Sequence, residues 1–497
     1  MAEIFLVKFE PEKDTHGLPP PYSLLYLADA LEKAGFPVRL FHERATPAAL
    51  ARLIKDVEDG RPLFVGFSSF TTSPMAASRK ASQEIKKKGG IPVVWGGIHP
   101  TIFPGQTLEN PFVDIVAVGE GEETVVELAR ALSRSGPERP DLTAVRGIGF
   151  KKDGRVVLNE QRPFIRDLDA YSPAWHLLDI DRYIYKQRHF YTDIGSKISG
   201  DRVFALITSR GCPWRCGYCY NQAVNRRTFR AQSPDKVLAE VDALKKRGVS
   251  SLIFEDDNFF ADKNRTMAIV RRLGLPWSCS IRADYIAAWG EDFVRELAEN
   301  HCFELRIGAE SGSQRILDLM RKDVTVEQIR RAVSLLAEYK IQTVLNFMVG
   351  IPGETWDDVR RTMSLIDDLE KISPYVIVSS LALYAPWPGS PLSDVAAARG
   401  FKAPTTLDGW SKLWAQRMPL APYMDRRIKF IGFYRTLIRR DFKNVPFPYL
   451  ARMLKRIALW RWKARFFRFP LDYYLPSSLL RLLRKIGLQK AAGAIFD

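Results

Sequence analysis

The sequence predicts an α/β protein of two successive units, a doubly wound parallel sheet followed by a partial (β/α)6 barrel of the TIM type, with a basic, mainly helical C-terminal region. Three observations predict it. Short apolar runs alternate with amphipathic stretches from residue 4 to about 135, the rhythm of strand–helix–strand units. The alternation resumes at Val203 and yields six further strands, without the length for a closed barrel of eight. Lastly, the charge is lopsided: of a net +17, the stretch from Asp425 to Lys490 holds 18 Lys/Arg against 3 Asp/Glu. A chain of 497 residues exceeds one ordinary domain. The boundaries read as 1–140, a linker at 141–200, 201–400 and 401–497.

In the first unit the strands are Ile4–Val7, Val38–Phe41, Leu63–Phe67, Val93–Trp95 and Ile115–Val118. Helices lie near Tyr22–Ala34, Ala48–Val57, Ala76–Lys87 and Thr124–Leu132. A doubly wound sheet binds its ligand beyond the carboxyl ends of the strands. The residues there include Pro19, Ser68, Phe70, Thr71, Thr72, Gly96, Gly97, His99, Gly119 and Glu120. They are mostly small, glycine-rich and hydroxylated, which suits a large planar ligand with a polar tail. Lys151 to Gly154 form a turn signal between two strand-like runs, and a linker rich in aromatic and charged residues follows. The second unit takes its strands from Val203–Thr208, Ser251–Glu255, Trp277–Ile281, Glu304–Ala309, Thr343–Val349 and Val376–Leu383. Barrels build their chemistry at the carboxyl ends of such strands.

Composition narrows the class. Hydrophobic content of 46% and charged content of 26% are those of a soluble globular chain. The N-terminus leads straight into a strand-like run, so no secretory signal is expected. No apolar stretch reaches the ~18–20 residues that span a bilayer, and a cytoplasmic location follows as an expectation. Five cysteines, an odd count in so long a chain, are no disulfide framework. Three of them, Cys212, Cys216 and Cys219, fall within eight residues, and this points to metal chemistry.

Thr208 to Cys219 reads TSRGCPWRCGYC, the most informative stretch in the chain. Thiolates spaced in this way on one loop can grip three irons of a cubane [4Fe–4S] cluster and leave the fourth open. An open iron is a site for chemistry, whereas electron storage alone calls for four Cys ligands. A structural zinc site would want four closed ligands, and Cys279 and Cys302 both lie in or beside barrel strands. Cys-x3-Cys-x-aromatic-Cys after the first strand of a barrel resembles the radical S-adenosylmethionine (SAM) superfamily, over about Val203 to Leu392. The resemblance implies that the open iron binds the amino and carboxylate groups of SAM, and that one electron cleaves the sulfonium to a deoxyadenosyl radical. It also implies an external electron donor of flavodoxin or ferredoxin type. Tyr218 matches the aromatic position near the adenine. Asp256 and Asp257, within Glu255–Asn258, match the strand end that holds the methionyl amino group, although the Gly-Gly-Glu common there is absent. Arg282 is expected on the methionyl carboxylate as a bidentate fork. Glu310 and Ser311 are expected near the ribose or amino group, and the backbone at Gly350 and Pro352 near the adenine. Singly, each acid reads as a solvated or capping residue; five consecutive strand ends in register with one family read as a site.

The first unit resembles the cobalamin-binding domains fused to radical enzymes, through Leu18–Ala28, Gly96–Thr101 and Val118–Glu122. Many cobalamin proteins carry Asp-x-His-x-x-Gly with the histidine on cobalt. Here Asp14 and His16 are present but Pro19 replaces the glycine, and its fixed φ obstructs the turn that presents an imidazole. Cobalamin is therefore expected without a histidine ligand, with Phe70 to Thr72 below the corrin.

Together the resemblances imply a cobalamin-dependent radical SAM methyltransferase acting on an unactivated carbon. An anaerobic oxidative cyclase of a porphyrin-type substrate has the same architecture and is the alternative. Methylthiotransferases need a second three-Cys cluster, and only Cys279 and Cys302 remain. A cobalamin-responsive regulator would have no reason to keep the triad. The basic region interleaves Leu, Ile and Trp with Arg452, Lys455, Arg456, Arg461 and Arg465. This suits the inner face of an anionic membrane and a lipid-like or natural-product substrate. A helical barrel cap with solvated basic faces would look similar; nucleic acid is not expected as a partner.

Overall fold

The computed structural model describes residues 2–12, 17–71, 74–135, 141–185, 202–415, 421–439, 448–469 and 472. Thr72, Asp14 and His16 lie outside them, as do Tyr473, Tyr474 and everything after.

The first sheet contains β1 (Ile4–Glu10), β2 (Val38–Arg44), β3 (Val65–Ser68), β4 (Val93–Gly96) and β5 (Ile115–Ala117), parallel in the order β2-β1-β3-β4-β5. The intervening helices are α1 (Tyr22–Lys33), α2 (Pro47–Gly60), α3 (Met75–Lys87), α4 (Ile98–Ile102), α5 (Pro104–Leu108) and α6 (Glu122–Ser135). The strands are buried on both faces, which is why they read as continuous apolar runs. The sheet does not stop at β5. The hairpin β6 (Ile148–Lys152) and β7 (Arg155–Leu158), read from sequence as the start of the linker, adds two antiparallel strands to it. Ile148 and Phe150 are buried there, so the hairpin covers an edge that β5 would otherwise expose.

The second sheet consists of β8 (Val203–Leu206), then, after a short antiparallel hairpin of β9 (Ser209–Arg210) and β10 (Arg230–Ala231), β11 (Ser251–Phe254), β12 (Trp277–Ile281), β13 (Cys302–Glu310), β14 (Gln342–Val349) and β15 (Val376–Leu383). Its six strands are all parallel and run in chain order, the open half-barrel the spacing predicts. Helices α7 (Asn221–Val224), α8 (Pro234–Lys246), α9 (Lys263–Leu273), α10 (Ala283–Glu299), α11 (Gln314–Leu319), α12 (Val326–Glu338), α13 (Trp356–Leu369) and α14 (Pro391–Ala398) accompany it. Thr325 with Gln328, and Thr355 with Asp358, form capping boxes that fix the starts of α12 and α13.

The C-terminal region is not a separate domain in its described part. α15 (Leu407–Ala415) returns to the first sheet: Leu407 and Trp410 join its core, and Arg79 pairs with Asp408 at 2.9 Å. α16 (Ile428–Arg439) and α17 (Pro448–Ala464) pack instead on the barrel, contributing Ile431, Tyr434, Ala458 and Trp462 to its core. The reason is that each helix has a large apolar stripe that only an existing core can bury. No described helix is long and apolar enough to cross a membrane.

Candidate active site

The cysteine loop leaves β9 through Gly211 at φ +83°. A Cβ there would lie 2.0 Å from the Thr228 carbonyl oxygen, so only glycine fits. Two further bonds seat the loop: Gly217 donates to the Met320 carbonyl at 2.6 Å, and Leu392 donates to that of Gly217 at 2.8 Å. Cys212, Cys216 and Cys219 are half-buried and carry no disulfide. Among the described residues no three His, Cys, Asp or Glu side chains converge on a single-ion position. The three thiols do lie within electrostatic reach of one another. Burial pushes the Cys212 thiol up and the Cys219 thiol up to about 12. Such thiols become thiolates when a positive metal centre sits beside them, and three on one loop fit a cluster.

Donors face these sulfurs. Asn258 Nδ2 lies 3.5 Å from Cys212 Sγ and Arg282 Nη1 lies 3.7 Å from Cys216 Sγ. Arg282 is not a free fork awaiting a carboxylate. It pairs with Asp284 at 2.9 Å, donates to the Lys322 carbonyl at 2.7 Å and stacks 3.7 Å over Trp214. The two aspartates expected at the methionyl amine also have other duties. Asp256 is buried and accepts from the Thr208 amide and the Thr208 and Ser209 hydroxyls, while burial lifts its carboxyl to about 6. Asp257 is exposed and accepts from the Gly211 amide at 3.0 Å, capping the loop.

Glu310 stays in the site. The β13–β14 register slips between Gly308 and Glu310, and Glu310 takes φ +62°, a left-handed conformation that costs energy for a non-glycine residue. Its carboxylate accepts from the Tyr218 hydroxyl at 3.0 Å and from Lys322 Nζ at 3.2 Å. Ser311 turns away: fully buried, it bonds Thr362 at 3.1 Å and supports the following turn. Gly350 has φ +83° and donates to Glu354 at 2.5 Å; Pro352 is buried beside it. Sequence reasoning marks the stretches that contain Trp214 and Asn258 without assigning either a role, and it misses Tyr285 and Lys322, the latter in a loop with no pattern of its own.

A cavity of about 270 Å³ opens at the carboxyl ends of the first sheet. Ser68, Gly96, Gly97, Gly119 and Glu120 line it with apolar residues of α1 and α6. Its small, glycine-rich lining suits one arm of a corrinoid. A Cβ on Gly97 (φ +97°) would stand 2.7 Å from the Ser69 carbonyl oxygen, and one on Gly121 2.7 Å from Leu27. The glycines thus keep this place open, and the residues fit the tail of a large ligand. Four expected contacts, His99, Thr71, Pro19 and Phe70, do not line it. His99 is fully buried, bonded to Thr71 at 2.9 Å and covered by Phe103 and Trp410, because α15 returns over it. Burial lowers its imidazole pKa to about 4. Pro19 is half-buried and outside the lining. Phe70 points to the barrel, 5.9 Å from the ring of Tyr220 and 5.2 Å from that of Trp387. Glu120 lies on the cavity wall, but its carboxylate faces Arg210 and Arg230.

Residues 206–366 match the radical SAM superfamily model and residues 14–129 the B12-binding domain model. The chain thus carries a radical SAM domain preceded by a B12-binding domain. It is 28% identical over 408 residues to an uncharacterized methyltransferase of Pyrococcus horikoshii, covering 79% of this chain and 83% of that protein. It is 29% identical over 382 residues to the anaerobic magnesium-protoporphyrin IX monomethyl ester cyclase of Rubrivivax gelatinosus, covering 75% of this chain and spanning 65% of the cyclase. The fold matches the cobalamin-dependent SAM radical enzyme OxsB, solved with aqua-cobalamin bound, at a TM-score of 0.68 and 16% identity over 100% of this chain and 77% of that one.

Proposed function

We propose that the protein is a cobalamin-dependent radical SAM C-methyltransferase that acts on an unactivated carbon of a lipid-like or natural-product substrate in the cytoplasm. The observation that carries it is the junction of Phe70, from the B12-binding domain, with Tyr220, the residue after Cys219, at 5.9 Å. The strand ends of the two domains face one another there, so a group held on one side can act on a substrate held on the other. A [4Fe–4S] cluster, SAM and cobalamin supply, when bound, one-electron cleavage of a sulfonium and a transferable methyl group.

The chain's own residues do the rest. Cys212, Cys216 and Cys219 would hold three irons, with Asn258 and Arg282 donating towards two of the sulfurs. Tyr218, Glu310 and Lys322 form a bonded polar wall that orients a polar ligand beside the cluster loop. Phe70, Tyr220 and Trp387 keep water from the junction, as a reactive carbon centre requires. A flavodoxin- or ferredoxin-type protein delivers the electron. The relationship to the cyclase favours a second outcome, substrate oxidation without methyl transfer. Anaerobic incubation of the reconstituted protein with methyl-labelled SAM, a one-electron reductant and a host lipid extract separates them by mass spectrometry. Label on a substrate carbon supports methylation; loss of substrate hydrogen without label contradicts it.

A further inference from the structure

The residues of α17 divide into two faces. Leu454, Ala458 and Trp462 point into the barrel core, and Trp462 Nε1 donates to Asp367 at 2.6 Å. Phe467 packs between Trp356 and Tyr434, at 5.7 Å from each. Trp462 and Phe467 are therefore core. The opposite face presents Tyr449, Arg452, Met453, Arg456, Trp460 and Lys463, whose spacing places them on one side of the helix. Tyr449 is 82% exposed, Met453 50% and Trp460 57%. Of the nine large apolar side chains exposed among the described residues, five lie between Tyr449 and Phe469.

The loop after α17 is built to hold this arrangement. Arg461 is buried, pairs with Asp472 at 2.9 Å and donates to the carbonyls of Phe466, Arg468 and Phe469, each at 3.1 Å. Arg465 and Phe469 adopt φ of +53° and +50°. The result is a fixed turn from which Phe469 projects 79% exposed, with Phe466 5.8 Å from Trp460. A flexible tail would need neither the buried guanidinium nor two left-handed residues.

We propose that the outer face of α17 and its Arg461-bound turn dock the protein on the surface of an anionic lipid bilayer. Trp460, Met453 and Phe469 would enter the headgroup region, with Arg456 and Lys463 against lipid phosphates. Charge complementarity names the partner: residues 448–469 hold seven Lys/Arg and no Asp or Glu, and of these Arg461 and Arg465 are committed to the inner carboxylates Asp472 and Asp367. Arginines would bind the phosphates of lipid and nucleic acid alike; the exposed Met453, Trp460 and Phe469 beside them favour lipid, because they offer apolar surface to the acyl boundary. This inference is independent of the methyl-transfer reading, since docking needs no catalysis.

Co-sedimentation of the full-length protein tests it. With vesicles of phosphatidylglycerol and phosphatidylcholine in equal parts, binding is expected at low salt and weakens as salt rises; pure phosphatidylcholine should bind far less. The double variant Trp460→Ser/Phe469→Ser should partition about tenfold more weakly, the loss expected from withdrawing apolar side chains from the interface. Arg456→Glu/Lys463→Glu should lose the preference for phosphatidylglycerol. All four residues are solvent-facing, so both variants should melt with the parent protein. Absence of binding to the anionic vesicles at low salt overturns the proposal, as does binding that both variants leave unchanged. Capture of an RNA oligonucleotide or an acidic flavodoxin by this face, with vesicles ignored, would overturn it in favour of that partner.

Discussion

Arg210, at the mouth of the barrel, donates to Glu120 of the B12-binding domain at 2.8 Å, and Arg230 reaches the same carboxylate at 2.7 Å. Burial would raise the Glu120 carboxyl, but the two guanidinium groups overcome it and hold it below the usual carboxylate range. Glu122 adds a second acceptor for Arg210 at 2.5 Å. The acidic loop after β5 is therefore a clamp between domains, and it fixes the approach of the cavity to the cysteine loop. Glu120→Ala leaves the buried Arg230 without a carboxylate and Arg210 with Glu122 alone, and should cost roughly 2–3 kcal/mol of stability. Calorimetry measures the loss, and hydrogen exchange should localise it to β9 and β10. Glu120→Leu combined with Arg230→Met should cost less than the single change.

The donors on the sulfurs make a separate prediction. A positive charge and hydrogen bonds near a cluster favour its reduced, more negative form. Arg282→Leu and Asn258→Val should each shift the cluster potential to more negative values in a redox titration followed by paramagnetic resonance. A potential unmoved in both would mean that neither side chain acts on the metal centre.

Gly97 offers a steric test of the cavity. Gly97→Ala forces a Cβ to within 2.7 Å of the Ser69 carbonyl oxygen at φ +97°. The strain should cost about 1–3 kcal/mol and reduce the cobalamin retained per chain, read from its visible absorbance. Gly89→Ala shares the left-handed backbone (φ +84°) but meets nothing within 4 Å, so it should bear the backbone strain and keep the cobalamin.

Stability should also respond to pH through Glu240. Its carboxylate accepts from Trp175 Nε1 at 3.2 Å, and burial lifts its pKa from 4.5 to about 7. An acid whose folded pKa is raised holds its proton more tightly in the folded chain. Its ionisation therefore subtracts stability as pH rises from about 4.5 to about 7. Glu240→Gln keeps the acceptor and removes the titration. The variant should be more stable than the parent by on the order of 1 kcal/mol at about pH 8 and should lose that advantage by about pH 4. Thermal melts across this range decide it; equal gains at both ends would mean a packing effect.

The sheets were legible in the sequence because parallel strands covered on both sides must be apolar runs, and all eleven expected strands formed close to their expected limits. The cysteine loop was legible because its spacing is local. What escaped was set by distant partners. Asp256 and Ser311 have the residue types of ligand contacts, yet each meets a hydroxyl-bearing neighbour that the linear order does not reveal. His99 was removed from the site by Trp410, more than three hundred positions later. Lys322 entered it because the turn after α11 folds back over Tyr218. The C-terminal charge was visible, but only the packing of α17 separates its inward aromatics from its outward ones.

In one chain, Cys212, Cys216 and Cys219 would hold an iron–sulfur centre and the first sheet a corrinoid. Metal analysis of the anaerobically reconstituted protein tests this most directly. About four irons and about one cobalt per chain are expected, and in the triple Cys→Ala variant almost no iron with the cobalt retained. Full iron loading of the triple variant, or reconstituted protein that holds no cobalt, would contradict it.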